Sequence, residues 1–120
     1  MIETIVLLRV SCQQQTCLLT HLAAYRSSLW QTVLPSPERN QLIRRLQDLY
    51  MRLTHTREPE QAEVVLSLTR EEASLVRHLC AWAMQQYGAA PTSTQRNQAL
   101  GELAALRVLV ERALLQAQIL

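Results

Sequence analysis

The sequence has no lysine and no phenylalanine, only two glycines, one aspartate and three cysteines. Gly88 and Gly101 stand alone, so no glycine-rich loop can cradle a phosphate. Asp48 is the sole aspartate. The glutamates gather near the centre of the chain and at helix starts, where the helix dipole accounts for them. No serine or cysteine has a base and an orienting acid at a recognisable spacing, so no enzyme and no cofactor are expected. Cys12, Cys17 and Cys80 are odd in number and lack metal-finger spacing, which points to free thiols in a reducing compartment.

Long apolar runs are also missing. No stretch approaches the roughly 18 apolar residues of a membrane span, so no membrane partner is expected. The start lacks basic residues, and Ile5 to Leu8 is too short for a signal peptide. Arg9 falls where a lipoprotein cleavage site before Cys12 wants an apolar residue. A cytoplasmic chain follows as the expectation.

What is present is aliphatic. Hydrophobic residues make up 48% of the chain, which argues against disorder, while the aromatics are only Tyr25, Trp30, Tyr50, Trp82 and Tyr87. The core must come from Leu, Val, Ile and Ala, as in packed helices. At 120 residues there is room for one domain, 1–120, burying roughly two thirds of the unfolded surface. All twelve basic residues are arginine, and net charge is +2. Residues 1–57 carry seven Arg against three acids, giving +4; residues 58–120 carry five Arg against seven Glu, giving −2.

The strongest signal is an internal repeat. Ser36 and Ser93, 57 residues apart, are each followed at the same distance by Arg-Asn-Gln, as Arg39-Asn40-Gln41 and Arg96-Asn97-Gln98. The same offset pairs Leu18 with Leu75, His21 with His78, Leu22 with Leu79, Tyr25 with Trp82, Leu46 with Leu103 and Leu49 with Leu106. One residue of slippage then aligns Val6–Ser11 with Val64–Thr69. The repeats are 1–57 and 58–120.

Local signals assign each element. Val6–Val10 and Val64–Leu68 read as strands. Ser11 with Gln14, and Thr69 with Glu72, form capping boxes. Helix A then runs from Cys12 to Val33 in the first repeat and from Arg70 to Tyr87 in the second, where Gly88 suits the left-handed position after a helix. Leu34-Pro35-Ser36-Pro37 ends the first helix A, with Ser36 as cap and Pro37 as first residue of helix B. Ser93 or Thr94 caps the second helix B, and Thr54–Glu63 links the repeats. The expected fold is mainly α with α+β character: a tandem duplicated β-α-α unit, a two-stranded antiparallel ribbon and four helices about an internal pseudo-twofold.

Several surfaces are candidates for function. Apolar residues at consecutive strand positions put apolar groups on both faces of the ribbon. The second helix B is apolar around most of its circumference and carries a heptad-like stripe. A homodimer is therefore expected through Leu7 and Val65 of the ribbon, through Leu106, Val110, Ala113 and Ala117 of that helix, or through both. The competing reading makes the helix central to the monomer. Arg39, Asn40, Arg96 and Asn97 lie in the first turn of each helix B, where free N–H groups and a guanidinium suit a phosphate or carboxylate. Equally, they can tie the A–B turn to the opposite repeat through backbone carbonyls. The first-repeat cluster Arg39, Arg44, Arg45, Arg52 and Arg57 suits nucleic acid, an acidic protein face, or solvent. Cys17 and His21 are one turn apart, but Ser74 replaces the cysteine in the second repeat, so no metal is expected.

The order strand–helix–helix, doubled, resembles the ribbon-helix-helix DNA-binding fold. Val64-Val65-Leu66-Ser67-Leu68-Thr69-Arg70-Glu71-Glu72 and the counterparts from Val6 carry the likeness. The resemblance implies a ribbon entering the major groove, with the start of the second helix on phosphate. Groove-facing positions would be Leu7, Arg9, Val65 and Ser67. The first expectation is a non-catalytic interaction and regulatory module that self-associates and offers a basic face to a protein partner. The alternative is a nucleic-acid-binding transcriptional regulator using Arg9, Arg39, Arg44, Arg45 and Arg96.

Overall fold

The structure is a computed structural model and describes residues 4–55 and 63–119, without the side chains of 118 and 119. Its elements follow in the order β1 (Ile5–Ser11), α1 (Cys12–Thr32), α2 (Pro37–His55), β2 (Glu63–Thr69), α3 (Arg70–Gly88) and α4 (Thr94–Ile119). The fold is mainly α with one two-stranded sheet. Most of the expected linker, including Arg57 and Pro59, lies outside the described residues.

The two strands pair antiparallel from Ile5↔Thr69 to Ser11↔Glu63, with Leu8 opposite Leu66 at the centre. Each strand is one residue longer at both ends than the expected spans Val6–Val10 and Val64–Leu68. Burial alternates strictly along both. Val6, Leu8 and Val10 of β1 and Val64, Leu66 and Leu68 of β2 enter the core, because side chains of a pleated strand point alternately to its two faces. Leu8 and Leu66 are 58 residues apart, the same slipped offset that relates the strand sequences. The pairing is thus symmetric about that pair.

Both strands run directly into helices through capping boxes. The Gln14 amide donates to Ser11 Oγ while the Ser11 amide donates to Gln14 Oε1. Thr69 and Glu72 repeat the arrangement. These reciprocal bonds satisfy N–H groups that a helix start leaves without partners. α1 ends at Val33, whose extended backbone precedes Leu34-Pro35, and α2 begins on Pro37 with Ser36 accepting from the Arg39 amide. α4 begins the same way, with Ser93 accepting from the Arg96 amide.

The core joins both strands to α1, α2, α3 and the latter part of α4. α1 and α3 cross with Tyr25 stacked on Trp82, ring centroids 5.0 Å apart, at positions equivalent in the repeat. α2 inserts Ile43, Leu46, Leu49 and Leu53 and packs chiefly on α1. α4 packs on α3 and along β1.

Gly88 departs from expectation. It is the last helical residue, no glycine has positive φ among the described residues, and the cap residue Ala89 is right-handed. The helix end is closed instead by the Ala89 amide donating to Gln85 O at 3.2 Å and the Ala90 amide donating to Tyr87 O at 3.1 Å, and Arg96 adds bonds through Nε to Tyr87 O at 2.8 Å and through Nη2 to Gly88 O at 3.4 Å.

Candidate interaction surfaces

The outward face of the ribbon carries Ile5, Leu7, Arg9 and Ser11 on β1 against Thr69, Ser67, Val65 and Glu63 on β2. Ile5, Leu7 and Val65 are 51%, 61% and 51% exposed. Leu7 and Val65 are diagonal neighbours across the strands, as are Arg9 and Glu63. The apolar part of the face is therefore offset toward one end, with opposite charges at the other. The four positions singled out from the strand pattern, Leu7, Arg9, Val65 and Ser67, all lie on this face.

The helical stripe of the expected interface belongs elsewhere. Leu106, Val110 and Ala113 are buried in the chain's own core, and Ala117 packs against it. This corrects the expectation that the stripe is offered to a second copy. α3 and β1 flank α4 on that side and consume it, so the helix is central to the monomer. Val108 and Leu115 are what α4 leaves open.

A cleft of about 1060 Å³ runs between α2 and the start of α3. Leu42 and Leu75 contribute apolar lining; Arg45, Asp48, Arg52, Arg70, Glu71 and Glu72 contribute charge of both signs in equal number. Arg52 Nη2 donates to both carboxylate oxygens of Glu72 at 2.7 Å, and Arg45 lies 3.7 Å from Glu71. At equivalent positions of the other half, Gln13 at the start of α1 donates to Glu102 of α4 at 2.9 Å. Arg44 is exposed on α2 outside this cleft. The acidic groups beside Arg45, Arg52 and Arg70 leave the cleft without the one-signed field that a phosphate backbone selects.

The two Arg-Asn-Gln turns serve helix ends. Arg39 Nη1 donates to Val33 O at 3.0 Å, and Arg96 reaches Tyr87 and Gly88. Each arginine thus ties helix B to the helix A of its own half, and not to the opposite half. Arg96 Nη1 also donates to Asn97 Oδ1 at 3.2 Å, and Asn40 is exposed. The turns differ in one respect. Arg39 lies under the Trp30 ring, 4.4 Å from its centroid, and its Nε is buried with no acceptor. Trp30, Val33 and Leu34 stand exposed around it. The sequence reading passed over these three, although large apolar residues just before Pro35, where a helix end is ordinarily polar, were a usable signal.

The histidines and thiols are structural in their surroundings. His21 Nδ1 donates to Cys17 O at 2.7 Å, and its Nε2 is hydrogen-bonded to the Tyr87 hydroxyl at 3.1 Å. Burial pushes the Cys17 thiol up to about 11, helped by the Glu102 carboxylate. Burial likewise pushes Cys80 up to about 12, with Cys17 adding and Arg107 opposing. Neither forms thiolate near neutrality, so neither is a nucleophile or ready metal ligand. No three His, Cys, Asp or Glu residues converge for a metal ion, and no helix is long and apolar enough to cross a membrane, among the described residues.

Comparison with known families, curated proteins and solved structures finds no match to the chain.

Proposed function

We infer that this chain is a non-catalytic interaction module that pairs with a second copy of itself through the outward face of the ribbon. The observation that carries the reading is the exposure of Ile5, Leu7 and Val65 on a ribbon whose other face is fully buried. Apolar side chains gathered on one open face favour a partner of the same kind over water. The halves are tandem copies in this reading; the symmetric strand register, the twin capping boxes and the Tyr25–Trp82 pair support it. The free thiols Cys17 and Cys80 suit a reducing, cytoplasmic location.

Light scattering across a concentration series tests the pairing. A mass of two chains is expected at tens of micromolar, falling to one chain on Leu7→Glu with Val65→Glu. A one-chain mass for the unaltered protein at several hundred micromolar rules the reading out.

The second reading, a nucleic-acid-binding regulator, is favoured by Arg9 standing on the same face between Leu7 and Ser11. It predicts a gel shift that weakens steeply between low and moderate salt and is reduced by Arg9→Ala. Apolar pairing instead holds or strengthens as salt rises.

A further inference from the structure

The α1–α2 turn and the α3–α4 turn are built on the same plan, and their difference is informative. Both place an arginine two residues after the first helical residue and use it to hold the preceding helix end. In the second turn each nitrogen of the guanidinium has an acceptor: Nε donates to Tyr87 O, Nη2 to Gly88 O and Nη1 to Asn97 Oδ1. The connecting residues there, Ala89-Ala90-Pro91-Thr92, are small. Tyr87, the counterpart of Trp30, turns inward to His21. That turn shows what the scaffold alone requires of the position.

The first turn has more than the scaffold requires. Trp30 and Leu34 are 58% and 85% exposed, while Arg39 is only 7% exposed. Together with Val33 and Pro35 they line an open recess of about 400 Å³ in which Arg39 is the sole charged group. Arg39 is the one buried arginine among the described residues, and it has no carboxylate partner. Buried guanidinium groups are normally paired with a carboxylate, most stably through two parallel N–H donors. Here Nη1 is committed to Val33 O, and Nε has no acceptor. Pro35 and Pro37 fix the turn, so an incoming segment would meet a preformed shape.

From this we propose that the α1–α2 turn docks a short peptide segment of a partner protein in which a Glu or Asp stands beside a large apolar side chain. The carboxylate pairs with the guanidinium of Arg39, and the apolar neighbour packs on Trp30 and Leu34. The proposal is independent of pairing through the ribbon. β1 leads directly into α1, so the turn lies at the far end of a 21-residue helix, about 30 Å away at 1.5 Å per residue.

Selection from a random displayed peptide library on the folded chain tests it. Enriched sequences carry Glu or Asp next to Leu, Ile or an aromatic residue. The best of them, made as a free peptide, moves the Arg39 Nε–H and Trp30 indole resonances in a ¹⁵N spectrum. Its Gln or Asn isostere binds at least tenfold more weakly. Leu34→Ser, at a site exposed enough to leave the fold intact by circular dichroism, weakens the acidic peptide tenfold or more, and Trp30→Ala does the same. Absence of enrichment, enrichment without acids, an isostere that binds equally, or binding indifferent to Leu34→Ser would each overturn the proposal. So would a two-chain mass that Leu34→Ser alone reduces to one, since the occupant would then be a second copy.

Discussion

The buried thiols make the folded chain sensitive to alkali, and the size of the effect can be worked out. Cys17 and Cys80 stand at about 11 and about 12 in the fold against an ordinary 9.0. Both folded values lie above the unfolded one, so the folded chain keeps protons that the unfolded chain releases. Stability from these groups is whole below pH 9 and drains away as pH rises from there toward the folded values. Between pH 8 and pH 10 an unfolded thiol gains about 1.3 kcal/mol from ionising while a folded one gains almost nothing, so the pair costs about 2.5 kcal/mol.

The assay is urea denaturation at pH 8, 9 and 10 with a reductant present, followed by circular dichroism. Stability is expected to fall by about 2.5 kcal/mol over that range, with most of the loss above pH 9. Burial also raises Tyr25 from 10.0, and its share, up to about 0.4 kcal/mol, falls between pH 9 and pH 10. The Cys17→Ala, Cys80→Ala double variant starts less stable, because small cavities replace the sulfurs, yet its loss with pH shrinks to that tyrosine share. A double variant that loses stability with pH as the parent does would refute the assignment. So would a parent that is indifferent to pH up to 10.

Four further outcomes follow from the packing. Gly101→Ala stabilises the chain by about 0.5–1 kcal/mol in the same denaturation, because the glycine sits inside α4 with nothing within 4 Å of an added Cβ. Ser11→Ala and Thr69→Ala each cost about 1 kcal/mol by removing one side of a capping box, and the two losses add if the helix starts are independent. Leu66→Ala costs about 2–5 kcal/mol, since Leu66 is buried at the centre of the ribbon. Amide exchange is faster in α2 than in the middle of α4, and equal protection would contradict the packing described for the two helices.

Much of this architecture was legible because it is written locally. The capping boxes, the proline break and the short Val- and Leu-rich runs of the strands act over a few residues, and similar signals recur 57 or 58 residues on. The antiparallel ribbon followed from the need of a lone strand for a partner. What the sequence left open was direction. A helix apolar on nearly every side does not say which side meets its own chain, and Leu106, Val110 and Ala113 turned inward because α3 and β1 lie there. Gly88 misled because the helix end closes with right-handed backbone at Ala89, and a side chain nine residues from Tyr87 supports it. The Arg-Asn-Gln triplets were found, but their partners were misplaced, because spacing along the chain does not tell a guanidinium's own helix end from that of the opposite half.

The two helices B share a plan but are not held equally, and this unequal hold organises the molecule. At equivalent places α2 has Arg52 and α4 has Leu109. Arg52 secures α2 to α3 by a half-exposed ion pair with Glu72, the kind of contact that contributes about 0–1 kcal/mol. Leu109 packs against the core, where partial burial of a leucine contributes more, up to about 1.5–3 kcal/mol when burial is complete. α4 adds Ala113 and Leu114 to the same core, past the point where α2 ends. In the second half the second helix is thus held mainly by apolar packing, and the turn before it is small. A charged cleft lies between α2 and the start of α3, and the turn leading into α2 holds a tryptophan over an arginine whose Nε has no acceptor. The proposed docking turn thus falls in the half whose second helix is held less tightly, where Trp30 and Leu34 stand exposed and the other half has Tyr87 turned inward and alanines.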